Sequence, residues 1–229
     1  MDKENLSRDE FYFTKGKVLF DEEKFDQALK SLDKALNLNP EHVMANYFKA
    51  LILCKLNRND EALENLNIVA RLTDNFLIQQ QVYLIMGYIY STKNNINLAI
   101  EYFEKVIGTG LEASAAYNAL AALYHKKNDI KKAIEYAKKA LELKNDNYNA
   151  MNTLAYLLID SGLDIERGLQ LAKKALNADP DNPARLDTVG YGYLKLKNKK
   201  LAEEFIVKAY NMTPEDPDIK SHMKMLSKI

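Results

Sequence analysis

Residues 117–143 read YNALAALYHKKNDIKKAIEYAKKALEL and contain two amphipathic blocks on either side of a short polar turn. In both blocks the apolar residues recur at spacings of three and four, as Leu120 and Tyr124 do in the first. That period is typical of an α-helix with one buried face. The stretch therefore predicts a helical hairpin, with Asn128 in the turn as a residue type that accepts the left-handed backbone ending a helix.

The same pattern returns along the chain with a nearly constant period. One position of each copy holds a small residue, at intervals of 34, 37, 34, 35 and 34 residues: Ala28, Ala62, Ala99, Ala133, Gly168 and Ala202. A hairpin of this size cannot bury its apolar face alone and must stack on neighbouring hairpins. The sequence therefore predicts a repeat protein, in which small residues allow the two helices of each hairpin to approach closely.

The turns and the irregular intervals make the prediction more detailed. Residues suited to a left-handed backbone separate the two helices in four copies: Asn57, Asn94, Asn128 and Gly162. The 37-residue interval places three extra residues between Thr73 and Gln79, and a slip in the fifth copy places one extra residue in 160–164.

Composition and charge exclude several classes of protein. The 229 residues carry 32 basic and 32 acidic side chains, so the long-range attraction on which nucleic-acid binders rely is missing. No apolar run approaches the roughly 18 residues that cross a bilayer. We expect no nucleic-acid partner and no membrane span. The polar start carries no secretory signal, which favours the cytoplasm, or the periplasm or cell envelope if a leader has been removed.

No group of residues indicates catalysis, a metal or a cofactor. His42, His125 and His222 lie far apart in sequence and are expected at the surface or at interfaces, and Cys54 is the only cysteine. Cys54 is expected to be a small apolar filler. The segment 108–110 follows a helix rather than a strand, which favours a helix-ending turn over a phosphate site. We expect no enzymatic activity.

The recurring residues resemble the tetratricopeptide repeat. The third copy carries Tyr83, Met86, Gly87, Tyr90, Ala99, Phe103 and Val106. The sixth copy carries Leu186, Val189, Gly190, Tyr193, Ala202, Ile206, Ala209 and Pro214. Departures are the absence of Trp and the presence of Gly168 where alanine is usual. The resemblance implies an all-α fold, a right-handed α-solenoid of about six helical hairpins with a C-terminal capping helix.

The boundaries follow from the register of the copies. A polar lead occupies 1–8, and the six repeats occupy 9–42, 43–76, 80–113, 114–147, 148–182 and 183–216. Ile219, Met223 and Leu226 stand at helical spacing in the remaining segment, 217–229, which is predicted to be the capping helix. The block 152–226 also resembles the end of many prokaryotic proteins of this family.

The resemblance further implies a concave surface that is lined by the first helix of each repeat and binds peptides. The register places these residues on it: Tyr47, Phe48, Gln81, Leu84, Tyr88, Asn118, Asn149, Asn152, Thr153, Tyr156, Asp187, Thr188 and Tyr191. The first half of this surface is apolar and aromatic. The second half offers amides, hydroxyls and phenols, which can hydrogen-bond the backbone of an extended peptide.

Two functions are compatible with this architecture, one that uses the concave surface and one that uses an end or the convex face. The favoured one is a non-enzymatic scaffold or adaptor that binds an extended or helical segment of another protein. The alternative is a structural protein that self-associates as a homo-oligomer and organises a larger assembly, including one at the cell envelope. For Tyr88, Tyr156 and Tyr191 the alternative to a peptide contact is that they simply pack on the neighbouring repeat, with their hydroxyls in water. The subtype that captures chaperone tails needs Lys, Asn and Arg at inward positions, and this sequence does not supply that set.

Overall fold

The computed structural model describes residues 6–110 and 113–228. Within those ranges the chain forms thirteen α-helices and no strand. Tertiary contacts divide the chain into two compact units, residues 1–110 and 111–229. The all-α class predicted from the hydrophobic period is confirmed.

The first unit consists of three helical hairpins. Its helices are α1 (Arg8–Asp21), α2 (Phe25–Leu38), α3 (Val43–Lys55), α4 (Asn59–Leu72), α5 (Phe76–Thr92) and α6 (Ile96–Gly108). Each helix packs against the next one along the chain. The largest fully buried side chains include Leu32, Leu53, Leu66, Met86 and Phe103, so an apolar core runs through all three hairpins.

The second unit consists of three hairpins followed by a single helix. Its helices are α7 (Ser114–Lys126), α8 (Ile130–Leu143), α9 (Tyr148–Asp160), α10 (Ile165–Asn177), α11 (Pro183–Lys195), α12 (Lys199–Met212) and α13 (Pro217–Leu226). Helix α9 contacts both α7 and α11, and α11 contacts α13, so these four helices form a row. Ile219 and Leu226 are buried against the last hairpin, and α13 is the capping helix that the sequence predicted.

Small residues lie where the two helices of a hairpin meet. Ala133 and Ala202 are fully buried, as are the alanines at the equivalent positions of the first three hairpins. Gly168 departs from alanine because a Cβ there would lie 2.9 Å from the backbone oxygen of Ala155 and 2.7 Å from Ile159 Cγ1. The close approach of α9 and α10 therefore requires glycine at this position.

Every hairpin turn contains one residue with a positive φ. The four residues predicted from the sequence adopt it, with φ of 58°, 56°, 60° and 70°: Asn57, Asn94, Asn128 and Gly162. In the first and last hairpins the same conformation is adopted by Glu23 and Lys197, which the sequence did not indicate. All six turns thus have the same conformation at this point, whichever residue occupies it.

The two predicted insertions have different outcomes. Four residues join α9 to α10, whereas three join α7 to α8, so the insertion in the fifth copy is confirmed. The three extra residues assigned to the connection between Thr73 and Gln79 instead lengthen α5, which starts at Phe76 and has 17 residues. The side chain of Asn75 accepts hydrogen bonds from the amides of residues 77 and 78 and fixes this early start. The boundary predicted at 76–80 therefore falls inside a helix.

Candidate functional site

A cavity of about 410 Å³ lies on the second unit, along the row formed by α7, α9, α11 and the beginning of α13. Five of the residues predicted to contact a peptide line it: Asn152, Thr153, Tyr156, Asp187 and Thr188. Asn118 and Asn149 lie on α7 and α9 of the same unit, half-buried and exposed respectively. The register of the repeats thus brings five of the thirteen predicted residues to one cavity.

Helix periodicity explains why these side chains share a face. Asn152, Thr153 and Tyr156 stand three and four residues apart on α9, and the equivalent positions of α11 hold Asp187, Thr188 and Tyr191. Both helices start with an asparagine cap, whose side chain accepts a hydrogen bond from the backbone amide three residues further along. Because α9 and α11 start at equivalent positions and have the same helical period, their equivalent residues lie side by side.

Hydrogen bonds connect α9 to α11 at the cavity. Asn152 Nδ2 donates to Thr188 Oγ1 at 3.1 Å, and Arg185 Nη2 donates to Asn149 Oδ1 at 3.0 Å. Arg185, which was not predicted from the sequence, is buried and also donates to the backbone oxygen of Ala175 at 3.1 Å. The side-chain amides of Asn149 and Asn152 are therefore held in fixed orientations by the next hairpin.

A carboxylate on α9 joins side chains from both neighbouring hairpins. The hydroxyl of Tyr191 donates to Asp160 Oδ1 at 2.8 Å, and His125 Nε2 lies 3.0 Å from Asp160 Oδ2. Burial acts to raise the pKa of Asp160, but the hydrogen bonds with Tyr191 and His125 outweigh it, so the pKa is lowered. Asp160 is therefore held as a carboxylate between α7 and α11.

His222 of α13 is more deeply buried than the sequence indicated. It was expected at the surface or an interface, but it is 3% exposed. Its Nδ1 lies 2.8 Å from Asp187 Oδ2, and its ring stacks on Tyr191. His222 occupies the position of α13 that Thr188 occupies in α11, 34 residues earlier, and this register was the signal that could have located it.

Helix α13 and the polar contacts bury the last three predicted residues. Asp187, Thr188 and Tyr191 are 4%, 2% and 3% exposed. Burial raises the pKa of Asp187, the hydrogen bond with His222 opposes this shift, and the carboxylates of Asp216 and Asp218 add to it. Of these three buried residues, Asp187 and Thr188 line the cavity and Tyr191 does not, whereas the half-buried Asn152, Thr153 and Tyr156 are accessible from it.

Two oxygen atoms in the cavity wall are buried without a hydrogen-bond partner. They are Asn152 Oδ1 and Asp187 Oδ1. Leaving a buried acceptor unpaired costs roughly 1–3 kcal/mol, so a donor that reached these atoms would be stabilised there. Burial also raises the pKa of Tyr156, and the carboxylates of Asp160, Asp218 and Asp187 raise it further. The cavity is acidic and rich in hydrogen-bond acceptors.

The remaining candidates lie on α3 and α5 of the first unit. They are Tyr47, Phe48, Gln81, Leu84 and Tyr88. The hydroxyl of Tyr47 donates to Gln81 Oε1, which connects α3 to α5. The rings of Tyr47 and Phe48 lie edge to face, with their centroids 5.8 Å apart. Tyr88 is 45% exposed, and its ring lies edge to face with that of Phe103, with the centroids 5.1 Å apart. On this unit the predicted residues offer ring faces and edges rather than polar acceptors.

Other chemistries have little support in the described parts of the chain. In residues 6–110 and 113–228, no three His, Cys, Asp or Glu side chains are grouped so as to hold a metal ion. Cys54 packs against the core of the first unit, and burial raises the pKa of its thiol, which disfavours the reactive thiolate. None of the thirteen helices combines the length and apolarity that crossing a membrane requires.

Two family models match separate parts of the chain. The model of the tetratricopeptide repeat matches residues 80–109 and 114–147. The model of anaphase-promoting complex, cyclosome, subunit 3 matches residues 3–68. These three segments correspond to hairpins of both units.

Known proteins of similar sequence or structure are consistent with these matches. The Hsp70-Hsp90 organising protein of Plasmodium falciparum is 28% identical over 95 residues, which are 40% of this chain and 17% of that protein. A TPR repeat-containing protein of Methanocaldococcus jannaschii is 32% identical over 94 residues, 40% of this chain and 27% of that protein. The chain thus matches less than a third of the length of either relative. The crystal structure of the APC/C hetero-tetramer Cut9-Hcn1 has a TM-score of 0.77 at 17% identity, covering 96% of this chain and 42% of that one. The repeat period, the hairpins and these matches together support a tetratricopeptide repeat protein.

Proposed function

We propose that this protein is a non-enzymatic scaffold that binds an extended segment of another protein at the cavity of the second unit. The observation that carries the proposal is the cavity itself, in which Asn152, Thr153 and Tyr156 present an amide, a hydroxyl and a phenol from one helix face. The similarity to a protein named for organising Hsp70 and Hsp90 fits a role in bringing proteins together.

The chemistry of the accessible residues suits a peptide backbone. An extended segment carries amide donors and carbonyl acceptors along its length, and side-chain amides and hydroxyls can bond to both. The ring of Tyr156 is half-buried, and its centroid lies 5.5 Å from the ring centroid of His125 and 5.8 Å from that of Tyr191. Because the ring is held in this way, it offers contact area to a ligand with little loss of conformational entropy. Direct contacts are assigned to Asn152, Thr153 and Tyr156.

The buried residues have a different part in the proposal. Each of the three is hydrogen-bonded to a side chain of another helix: Asp187 to His222, Thr188 to Asn152, and Tyr191 to Asp160. They fix the positions of the contact residues before a ligand arrives, and a preorganised surface loses less entropy on binding. We therefore treat them as positioning residues.

The test is the selection of peptides from a randomised display library, followed by affinity measurement on variants. A selected peptide is expected to lose at least roughly tenfold in affinity for the double variant Asn152→Ala, Tyr156→Ala. The matched control is Gln170→Ala, Lys174→Ala, which truncates two exposed side chains of α10, and it should bind like the wild type.

Two results would contradict the proposal. Full affinity of the selected peptide for the Asn152→Ala, Tyr156→Ala variant would place binding elsewhere. A library that yields no binder, together with a mass that rises with concentration in light scattering, would favour the self-associating alternative.

A further inference from the structure

Charge is distributed unequally along the cavity. Asp187, Asp216 and Asp218 line it from α11 and α13, whereas Lys126 lines it from α7. Because α7 contacts α9, α9 contacts α11 and α11 contacts α13, the lysine and the three carboxylates come from opposite ends of the row. The cavity therefore has an acidic end, defined here by Asp187, Asp216 and Asp218.

The acidic end stays negative when its compensating groups are counted. His222 can neutralise one carboxylate, that of Asp187, which lies 2.8 Å from it. The N-terminus of α13 contributes roughly half a positive charge. The side chain of Asp216 accepts hydrogen bonds from the amides of Asp218 and Ile219, and it caps this helix. Three carboxylates set against these groups leave a net negative charge.

The unpaired oxygens call for a hydrogen-bond donor rather than an acceptor. Asp187 is 4% exposed and its Oδ1 has no partner. Asn152, which lines the same cavity, also has an Oδ1 without a partner. Lysine and arginine side chains carry three and five N–H donors and no acceptor. The ring of Tyr156 lies in the same cavity and can attract a cation to its face.

We propose that the acidic end of the cavity is a pocket for a lysine or arginine side chain, so that the segment bound by this protein is a basic peptide. This proposal rests on the function proposed above and names the chemistry of its ligand. It assigns charge recognition to Asp216 and Asp218, and acceptance of the donor to Asn152 Oδ1 and Asp187 Oδ1. Asp187 thus has two roles, because its Oδ2 pairs with His222 and positions the wall while its Oδ1 contacts the ligand.

A pair of substitutions removes charge from the pocket and leaves the helix cap in place. Asp216→Asn keeps a side-chain oxygen that can cap α13, since asparagine caps about as well as aspartate. Asp218 is exposed, so Asp218→Asn leaves packing unchanged. The matched control is Glu142→Gln, Glu166→Gln, which removes the same number of negative charges from exposed positions of α8 and α10.

The probe is a set of fluorescein-labelled nonapeptide pools that are random except for a fixed central residue: arginine, lysine, norleucine or glutamate. Affinities are measured by fluorescence anisotropy at about 0.15 M salt, where long-range attraction is screened beyond roughly 8 Å. The arginine and lysine pools should bind the wild type and the control at least roughly tenfold more tightly than the norleucine pool, and the glutamate pool should bind most weakly. In the Asp216→Asn, Asp218→Asn variant the preference should disappear.

Specific outcomes overturn the proposal. If the norleucine or glutamate pool binds as tightly as the arginine pool, the pocket does not select a cation, although peptide binding stands. If the control variant loses the preference as fully as the test variant, overall charge and not the pocket is responsible. If no pool binds in any arm, the proposed peptide-binding function fails as well.

Discussion

His222 stacks on Tyr191 with their ring centroids 3.9 Å apart and their planes inclined by 15°. The same imidazole reaches Asp187, so one side chain of α13 contacts two residues of α11. Apolar burial of Ile219 and Leu226 holds α13 in place as well. The capping helix is therefore attached through both a buried polar cluster and an apolar face.

Removal of the imidazole should weaken this attachment. His222→Ala leaves the buried Asp187 without its partner and is expected to destabilise the second unit by roughly 1–3 kcal/mol. Urea unfolding gives the free energy, and hydrogen exchange of the α13 amides shows where the loss occurs. The control is Met225→Ala on the same helix, which is 43% exposed and should change stability by no more than about 0.5 kcal/mol. Equal losses in both variants would contradict a special role of His222.

Gly190 should not tolerate even a methyl group. A Cβ at this position of α11 would lie 2.5 Å from Ile206 Cγ1 and 3.0 Å from the backbone nitrogen of Ile206. Gly190→Ala is therefore expected to cost roughly 1–3 kcal/mol by overpacking. Gly108→Ala is the control, because a Cβ at that position would meet no atom within 4 Å, and it should be neutral or stabilising by about 0.4–1 kcal/mol. Thermal unfolding compares the stability of both variants with that of the wild type. A Gly190→Ala protein as stable as wild type would show that α11 and α12 can separate freely.

Lys197 is a position where glycine should improve stability. Its φ is 59°, a left-handed conformation that costs a residue with a Cβ about 1–2 kcal/mol. Glycine removes that cost but gains entropy in the unfolded chain, so Lys197→Gly should stabilise by up to about 1 kcal/mol. Glu204→Gly, at an exposed position inside α12, should instead destabilise by about 1 kcal/mol. A lower midpoint for Lys197→Gly in thermal unfolding would refute the strain at this turn.

Asp9 should titrate far below the usual range of an aspartate. Hydrogen bonds from Ser7 and then Asn39 lower its pKa from 3.8 to about 2. Because the folded pKa is the lower one, the contribution of Asp9 to stability is complete above pH 3.8 and is lost as the pH falls towards 2. Ser7→Ala should raise the pKa more than Asn39→Ala does, as measured by carbon NMR titration of the Asp9 carboxyl. An unchanged pKa in both variants would mean that neither hydrogen bond persists in solution.

The repeat architecture could be predicted from the sequence because each hairpin carries its own local signals. Asn57, Asn94 and Asn128 mark their turns by an intrinsic tolerance of positive φ. Glu23 and Lys197 carry no such preference, and their conformation is imposed by the packing of the two helices that they connect. The length of α5 does not follow from the period either, because Asn75, within the connection predicted between Thr73 and Gln79, caps the helix with its side chain.

The site was only partly predictable. The concave face that the resemblance implies, mapped by the register of the copies, predicted that Asn152 and Tyr156 share one surface, and both line the cavity. Burial of Asp187 depends on His222, a residue on the next helix of the row, and pairwise contacts of this kind are not encoded in the period. The unpaired oxygens likewise follow from the packed geometry, which no spacing rule describes.

The carboxylate of Asp160 takes a hydrogen bond from Tyr191 and lies beside His125, which come from the hairpins on either side of its own. Sliding any one of these hairpins past another would break a contact to a single shared anion, and such charge-assisted contacts are among the stronger ones in proteins. A peptide that binds this protein as proposed should therefore meet a cavity whose shape is already set. We would expect differences in affinity among its ligands to appear mainly in how long they stay bound, not in how quickly they arrive.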